Sequence, residues 1–216
     1  MKSNICKLNK DMACLKTVLC EVEKVTAYNE LENKKALRLR LLAEELCGML
    51  PGLVDKFSGV FWMENDDEDY TLHVELTADD MTLEAREELI SVSKSGKNSA
   101  AKGIMGKIRA VAETMLLSAN DPSVVIPMGE FYDYNSYNMG LGYIDPSIAL
   151  ETGYAYSWSL HNYKSAVGDS EGAFAELERS IVAKLADDII VGVRGDNVEI
   201  IVKKSFGVVY DFINNK

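Results

Sequence analysis

Lysine and glycine residues gather between positions 93 and 107 of a chain that is otherwise acidic. The lysines of this stretch are Lys94, Lys97, Lys102 and Lys107. The first two lie in a polar break between two predicted helices, and Gly103 and Gly106 open the second helix. Free amides at a helix N-terminus attract anions, and neighbouring lysines add to that attraction. The stretch predicts a phosphate-binding loop, with a solvated connection as the alternative interpretation.

Glu45 lies on the best-defined predicted helix, which runs from about Asn33, as its cap, to the stop signal Pro51-Gly52. On these residues alone, ordinary ion pairing along the helix surface, at about 0.3 to 0.5 kcal/mol per pair, can account for this carboxylate. Those pairs would be Arg38 with Glu45 and Arg40 with Glu44.

Asp79 and Asp80 directly follow a predicted strand, in which apolar and polar residues alternate over YTLHVEL. Together with the run SGVFWME, this strand predicts a hairpin around the acidic stretch Asn65 to Asp69. On these residues alone, the two aspartates can end the strand and cap a helix that starts near Thr82.

The remaining periodicity predicts further helices and strands. A first helix is predicted from residues at three- and four-residue steps, which are Leu8, Met12, Leu15, Leu19, Val22 and Val25. Near the other end, EGAFAELERSIVAKLADD predicts a helix, and IIVGVR and VEIIVKK predict strands around a turn. Between them, residues 118–169 are irregular and rich in Gly and Tyr, and the Tyr-rich part, 131–163, is the predicted surface for a protein partner. The alternative for this part is packed β structure.

This order of elements resembles the histidine-kinase-like ATPases, the GHKL group, and especially the small anti-sigma-factor serine kinases. The likeness covers roughly residues 8–117 and 171–204. It implies a two-layer α+β fold, with helices on one face of a mixed, mostly antiparallel sheet. Residues 1–216 would form a single domain of this type, with an aromatic-rich insertion at about 118–169.

The resemblance also implies roles for the candidate site residues. In this family, a helix carries a glutamate that activates water or a hydroxyl, and four residues later an asparagine that holds magnesium. Glu45 matches the glutamate, but Met49 stands at the asparagine position. A thioether does not replace an amide oxygen as a ligand of a hard cation. The resemblance therefore implies ATP as the cofactor, without magnesium coordination from this helix.

Two further family boxes fall on the other candidates. The adenine-binding carboxylate, which glycines follow in the family, matches Asp79 or Asp80, with Met81 where a glycine is expected. The glycine-rich box matches Gly103 and Gly106. The metal-binding asparagine and the glycines that follow the adenine-binding carboxylate are missing. The resemblance therefore implies a regulatory ATP-binding or ATP-binding-derived protein that works through a protein partner. It does not imply an active kinase or ATPase. The alternative is a non-catalytic interaction module that has lost nucleotide binding.

Composition excludes several other classes of protein. With 34 acidic against 23 basic residues, the chain lacks the basic surface that nucleic-acid binding requires. No apolar run approaches the roughly 20 residues of a membrane span, and no secretion signal is recognisable, which predicts a cytoplasmic protein. The four cysteines lie in apolar stretches and are expected to be buried free thiols. His73 and His161 lack neighbouring ligands at zinc spacing, so no metal site is expected.

Overall fold

A computed structural model of the 216-residue chain describes residues 1–9, 13–50, 57–78, 108, 112, 116, 141–142, 156–167, 180–194 and 196–207. The helices with described bounds are α1 (Ala13–Tyr28), α2 (Asn33–Met49), α3 (Leu160–Val167) and α4 (Ile181–Leu185). The strands are β1 (Cys6–Leu8), β2 (Phe57–Asp66), β3 (Asp69–Ala78), β4 (Leu141–Gly142), β5 (Tyr156–Ser159), β6 (Asp188–Arg194) and β7 (Asn197–Ser205). The chain is therefore an α+β protein, as its sequence predicts.

The described strands form one seven-stranded sheet in the order β1-β2-β3-β7-β6-β5-β4. Each pairing between neighbouring strands in this described sheet is antiparallel, where a mixed sheet was expected. Two hairpins, β2–β3 and β6–β7, meet at its centre through the β3–β7 pair. The two hairpins and their turns agree with the strand patterns in the sequence.

The two faces of the sheet differ in burial. Its buried face is built from alternate apolar residues, including Phe61, Met63, Leu72, Val74, Ile200 and Val202. The opposite face, here called the outer face, has half-buried or exposed residues, including Trp62, Glu64, His73, Glu75, Glu199 and Ile201. Because successive side chains of a strand point to opposite faces, this alternation follows directly from the sequence of β2, β3 and β7.

The described helices bury their apolar sides in the same core cluster as the buried face of the sheet. From α1 this cluster takes Val18, Val22 and Val25, and from α2 it takes Leu39, Leu42, Ala43, Leu46 and Cys47. Three residues of the predicted glycine-led helix, Ile108, Ala112 and Leu116, are helical and fully buried in it. Their four-residue spacing presents one side of a helix to the core, as the sequence pattern indicates.

The prediction that Leu8 belongs to the first helix is wrong. Leu8 lies in strand β1, where Cys6 pairs with Phe61 and Leu8 pairs with Gly59. Cys6 and Leu8 are buried and Lys7 is exposed, so this segment alternates as a strand does. The described part of the first helix runs from Ala13 to Tyr28.

Two helix starts also differ from expectation. Asn33 is already the first residue of α2, and Glu32 is its N-cap, whose side chain accepts no capping hydrogen bond. The helix predicted over 171–188 is broken at Ser180, which is extended and accepts a hydrogen bond from the Ala183 amide as the N-cap of α4. Ser is favoured at such positions because its hydroxyl satisfies a free amide of the first turn.

The β2–β3 hairpin closes through a two-residue turn, Asp67 and Glu68. Asp67 has a φ of 54°, a left-handed conformation that Asp tolerates better than most residues. The Asn65 side chain, which is buried, donates a hydrogen bond to the Asp67 carbonyl at 2.6 Å. The turn is therefore held from inside the sheet, and it fixes the register of β2 against β3.

Part of the irregular segment 118–169 belongs to the sheet. Strand β5 pairs with β6, and α3 follows β5 directly. Trp158 and Tyr163 are fully buried, so these two aromatic residues of the predicted partner surface contribute to the core. Within 118–169, the residues other than 141–142 and 156–167 lie outside the described ranges. The single domain and the partner surface both stay predictions.

The cysteines are only partly as expected. All four are free thiols, and Cys6 and Cys47 are buried, but Cys14 is half-buried and Cys20 is exposed. Cys20 lies on the solvent side of α1, where an apolar stretch of sequence does not by itself bury every member. Among the described residues, no helix has both the length and the apolar character needed to cross a bilayer.

Candidate functional site

Glu45 is the only predicted site residue in the part of the chain that the structure describes. It is half-buried on α2, one turn before Met49, which is partly buried and packs against the core cluster. No hydrogen bond or ion pair joins Glu45 to another described residue.

The ion pairs expected along α2 are not those of the structure. Arg40 Nη1 lies 3.0 Å from Glu23 Oε1 on α1, so this arginine links two helices instead of pairing with Glu44. Glu44 is exposed. Surface pairing within α2 thus does not explain the two adjacent glutamates in the described structure.

The other candidates, Asp79, Asp80, Lys94, Lys97, Lys102, Gly103, Gly106 and Lys107, lie outside the described residues. Two of their chain neighbours are described. Strand β3 ends at Ala78, immediately before Asp79, and Ile108, immediately after Lys107, is helical and buried. These neighbours agree with a strand that leads into the aspartates and a helix that follows the lysines.

A second cluster of polar side chains lies on the outer face. Ligand spacing along the sequence did not predict this cluster. At its centre, Trp62 of β2 and His73 of β3 are direct partners in the strand register. Their rings are parallel within 4°, with centroids 4.6 Å apart. The ammonium of Lys2 lies 4.6 Å from the centroid of the Trp62 ring, so this indole interacts with a cation and with an imidazole.

Glu64 contacts three other members of this cluster. Its Oε1 accepts a hydrogen bond from Trp62 Nε1 at 3.0 Å and pairs with Lys2 Nζ at 3.0 Å. These two contacts, that with Lys2 first, hold the pKa of Glu64 below its usual value. The carboxylate is thus kept ionised beside His73, whose Nε2 lies 3.7 Å from Glu64 Oε2.

His73 meets a second carboxylate on its other side. Its Nδ1 lies 3.6 Å from Oε1 of Glu199 on β7. Both ring nitrogens are buried, yet neither makes a hydrogen bond in the described structure. A buried polar atom without a partner costs free energy, so this arrangement calls for an explanation beyond packing.

A shallow groove of about 510 Å³ adjoins Glu64 at the hairpin end of the outer face. It is lined by Met1, Lys2, Glu64, Asn65, Asp66, Asp69 and Thr71. Its charged groups are the carboxylates of Glu64, Asp66 and Asp69 and the ammonium groups of Lys2 and Met1. Within the described residues, no group of three or more His, Cys, Asp or Glu side chains could hold a metal ion.

The signal for the outer-face cluster is the two-residue period of the hairpin. Once β2 and β3 are aligned by their turn, Trp62 and Glu64 fall on the same face as His73. Glu199 adds the third strand, and its position follows only from the pairing of β3 with β7 over a long stretch of chain. Spacing along the sequence could therefore indicate two strands of the cluster, but not the third.

Comparisons with known proteins found no match to this chain. No protein-family model matches the chain, and neither a curated protein nor a solved structure has a significant similarity to it.

Proposed function

We propose that this chain is a regulatory protein built on a domain of the histidine-kinase-like ATPase type, that it binds ATP, and that it acts on a protein partner in the manner of an anti-sigma factor. The order α1, α2, hairpin β2–β3, the helical residues Ile108, Ala112 and Leu116, α4 and hairpin β6–β7 supports this proposal. The same order underlies the resemblance in the sequence.

The observation that carries the proposal is the position of Glu45 relative to the end of β3. Phe57, the first residue of β2, pairs with Ala78, the last residue of β3. The seven steps of chain from Leu50 to Phe57 can span at most about 25 Å. Leu50, the C-cap of α2, therefore lies within about 25 Å of Phe57, which is paired with the residue before Asp79. Glu45 lies five residues before Leu50 on the same helix.

Nucleotide binding in this proposal does not use magnesium held by α2. Met49 packs its apolar side chain against the core, where the family has a metal-binding amide. The adenine would be bound by Asp79 or Asp80 and the phosphates by the loop with Lys94, Lys97, Lys102 and Lys107. Binding of ATP or ADP that is independent of magnesium is the expected behaviour.

The test is calorimetric titration and thermal shift with ATP and with ADP, each with and without magnesium. A ligand that binds only the native state raises the apparent stability as its concentration rises. Asp79→Asn and Asp80→Asn should each be compared with Glu44→Gln, which changes an exposed carboxylate on α2. The proposal requires that one of the two aspartate variants lose binding while the Glu44 variant keeps it.

A second candidate function is an interaction module that has lost nucleotide binding. The partial burial of Met49 favours it, because a side chain that packs on the core replaces a polar group of the nucleotide site. This candidate predicts no binding at millimolar nucleotide. It also predicts that the Tyr-rich segment, 131–163, carries the partner surface.

Phosphoryl transfer would need Glu45 as the general base and the lysine loop as a lid over the phosphates. Turnover of ATP should then fall by about two orders of magnitude or more in Glu45→Ala. Glu44→Ala is the matched control one residue away. Equal turnover by wild type and Glu45→Ala would exclude this mechanism while leaving nucleotide binding intact.

A further inference from the structure

His73 lies between two carboxylates that come from different strands. Nε2 faces Glu64 on β2 at 3.7 Å, and Nδ1 faces Glu199 on β7 at 3.6 Å. The two nitrogens are on opposite sides of the five-membered ring, so each carboxylate has one nitrogen to itself. Since β3 is hydrogen-bonded to both β2 and β7, this one side chain can link three adjacent strands across the outer face.

The number of protons on the ring decides how many of these links can form. A neutral imidazole has one N–H donor and one acceptor nitrogen, whereas an imidazolium has two N–H donors. A carboxylate is only an acceptor when ionised, so the neutral ring can bond one glutamate and must present a lone pair to the other. Only the imidazolium satisfies both.

The present separations leave room for such a change. Both are about 0.7 to 1.0 Å longer than a normal charge-assisted hydrogen bond, and neither contact is a hydrogen bond as it stands. Each glutamate side chain must therefore move toward the ring to form its bond. Stacking on Trp62 holds the plane of the imidazole ring in the meantime.

Other charged groups near the ring belong to the same described surface. Lys2, from the segment that precedes β1, is paired with Glu64 and lies over Trp62. On β3 itself, Glu75 lies two residues away on the outer face, and on β7, Lys203 lies opposite Thr71. With Glu64 and Glu199, the acidic groups around the ring are three and the basic groups two, and only Glu64 has a cation bound to it in the described structure.

We propose that His73 is a proton-operated tie between β2, β3 and β7: the imidazolium donates one N–H to Glu64 and the other to Glu199, and loss of one proton breaks one of these two side-chain bonds. The proton comes from solvent and returns to it, and no covalent bond other than N–H is made or broken. The outer face is tied at acid pH and looser at alkaline pH. The device is independent of nucleotide binding.

The test compares urea unfolding of the wild type and His73→Gln at about pH 5.5 and about pH 8, on either side of the range in which histidine changes charge. Gln keeps a donor and an acceptor but cannot take up a proton. If the tie exists, the variant should lower stability more at the acid pH, by about tenfold in the unfolding equilibrium constant, the size of one charge-assisted hydrogen bond. An equal effect at both pH values would overturn the proposal.

The chain offers a matched control, because His161 is its only other histidine and is exposed. His161→Gln should leave the difference between the two pH values unchanged. Glu199→Gln should remove most of the extra acid-pH effect of His73→Gln in a double-mutant cycle. If the cycle shows no coupling at acid pH, the two-sided tie is wrong even where His73 titrates.

A second readout does not depend on stability. With 5-fluorotryptophan, the two tryptophans give separate ¹⁹F signals, and Trp62 lies against the imidazole while Trp158 is fully buried in the core. The Trp62 signal should shift between the two pH values in the wild type and stay fixed in His73→Gln. A Trp62 signal that is independent of pH in the wild type contradicts the proposal.

Discussion

Trp62 and His73 lie face to face, with their ring planes within 4° and centroids 4.6 Å apart, although they belong to different strands. The pairing of β2 with β3 brings them opposite each other on the outer face. Aromatic pairs in such contact add about 0.5 to 1.5 kcal/mol beyond the area they bury. This contact can be measured separately from the charges around it.

We expect a coupling free energy of about 0.5 to 1.5 kcal/mol between Trp62 and His73. It would be measured by urea unfolding of Trp62→Ala, His73→Ala and the double variant at about pH 8. Trp62→Phe is the control that keeps a ring but loses the hydrogen bond to Glu64. Strictly additive effects of the two alanine substitutions would show that the stack contributes nothing.

Two glycines should respond oppositely to alanine. At Gly59 on β2, an added Cβ would lie 2.5 Å from Leu76 Cδ2 and 2.6 Å from the Glu75 carbonyl oxygen. At Gly48 on α2, an added Cβ would meet nothing within 4 Å. We expect Gly59→Ala to lower the free energy of unfolding by about 1 to 3 kcal/mol, because backbone must move.

Gly48→Ala, in contrast, should raise the free energy of unfolding by about 0.5 to 1 kcal/mol, since alanine is the better helix former. Thermal unfolding of both variants beside the wild type measures the two effects. Equal and small changes would mean that β2 and β3 can separate locally around position 59.

Acid should weaken the protein partly through Glu21. This carboxylate of α1 is buried, and Lys24 Nζ at 2.6 Å, followed by Asn4 Nδ2 at 3.0 Å, holds its pKa below the usual value. Because the pKa is lower in the folded state, its contribution is present above the ordinary glutamate pKa of about 4.3 and is lost as the pH falls through the folded value.

We therefore expect Glu21→Gln to be less stable than the wild type at neutral pH and to differ from it less below about pH 4. Urea unfolding from neutral pH down to about pH 3 would show this convergence. Glu44→Gln, which changes an exposed carboxylate, should run parallel to the wild type over that range. Parallel curves for Glu21→Gln as well would contradict the assignment.

The cysteines should differ in reactivity. Burial is the main cause that raises the pKa of Cys6, and it raises that of Cys47 to about 12. Since the thiolate is the nucleophile, we expect iodoacetamide to modify exposed Cys20 first in the native protein and to leave Cys47 unmodified. Mass spectrometry of peptides after timed alkylation gives the order. Early modification of Cys47 would mean that α2 opens readily.

The elements that sequence alone could predict are those with a strong local period. The alternation of Leu72, Val74 and Leu76 and the apolar side of α2 are local, and both elements lie where the pattern predicts them. The prediction that Leu8 belongs to the first helix was wrong because β1 has only three residues. Three residues are too few to distinguish the period of a strand from that of a helix. Its strand conformation depends on pairing with β2, from Cys6 to Phe61.

The candidate sites divide in the same way. Glu45 was found from a resemblance within one helix, whereas the outer-face cluster needs contacts among three strands. A lone histidine at position 73 carries no signal until the register brings Glu64 and Glu199 to its two sides. Nonlocal pairing, and not composition, therefore makes this cluster.

The central place of β7 has a consequence for synthesis on the ribosome. Thr77 on β3 bonds to the Asn197 side chain on β7, although 120 positions of chain separate them. Until β7 has been made, the edge of β3 that pairs with β7 has no partner. Before that point, β1, β2 and β3 can form only one half of the sheet. Such nonlocal closure is slow, and an open strand edge is prone to pair with other chains. A ribosome that pauses before residue 197 would thus expose this open edge of β3 on the nascent chain.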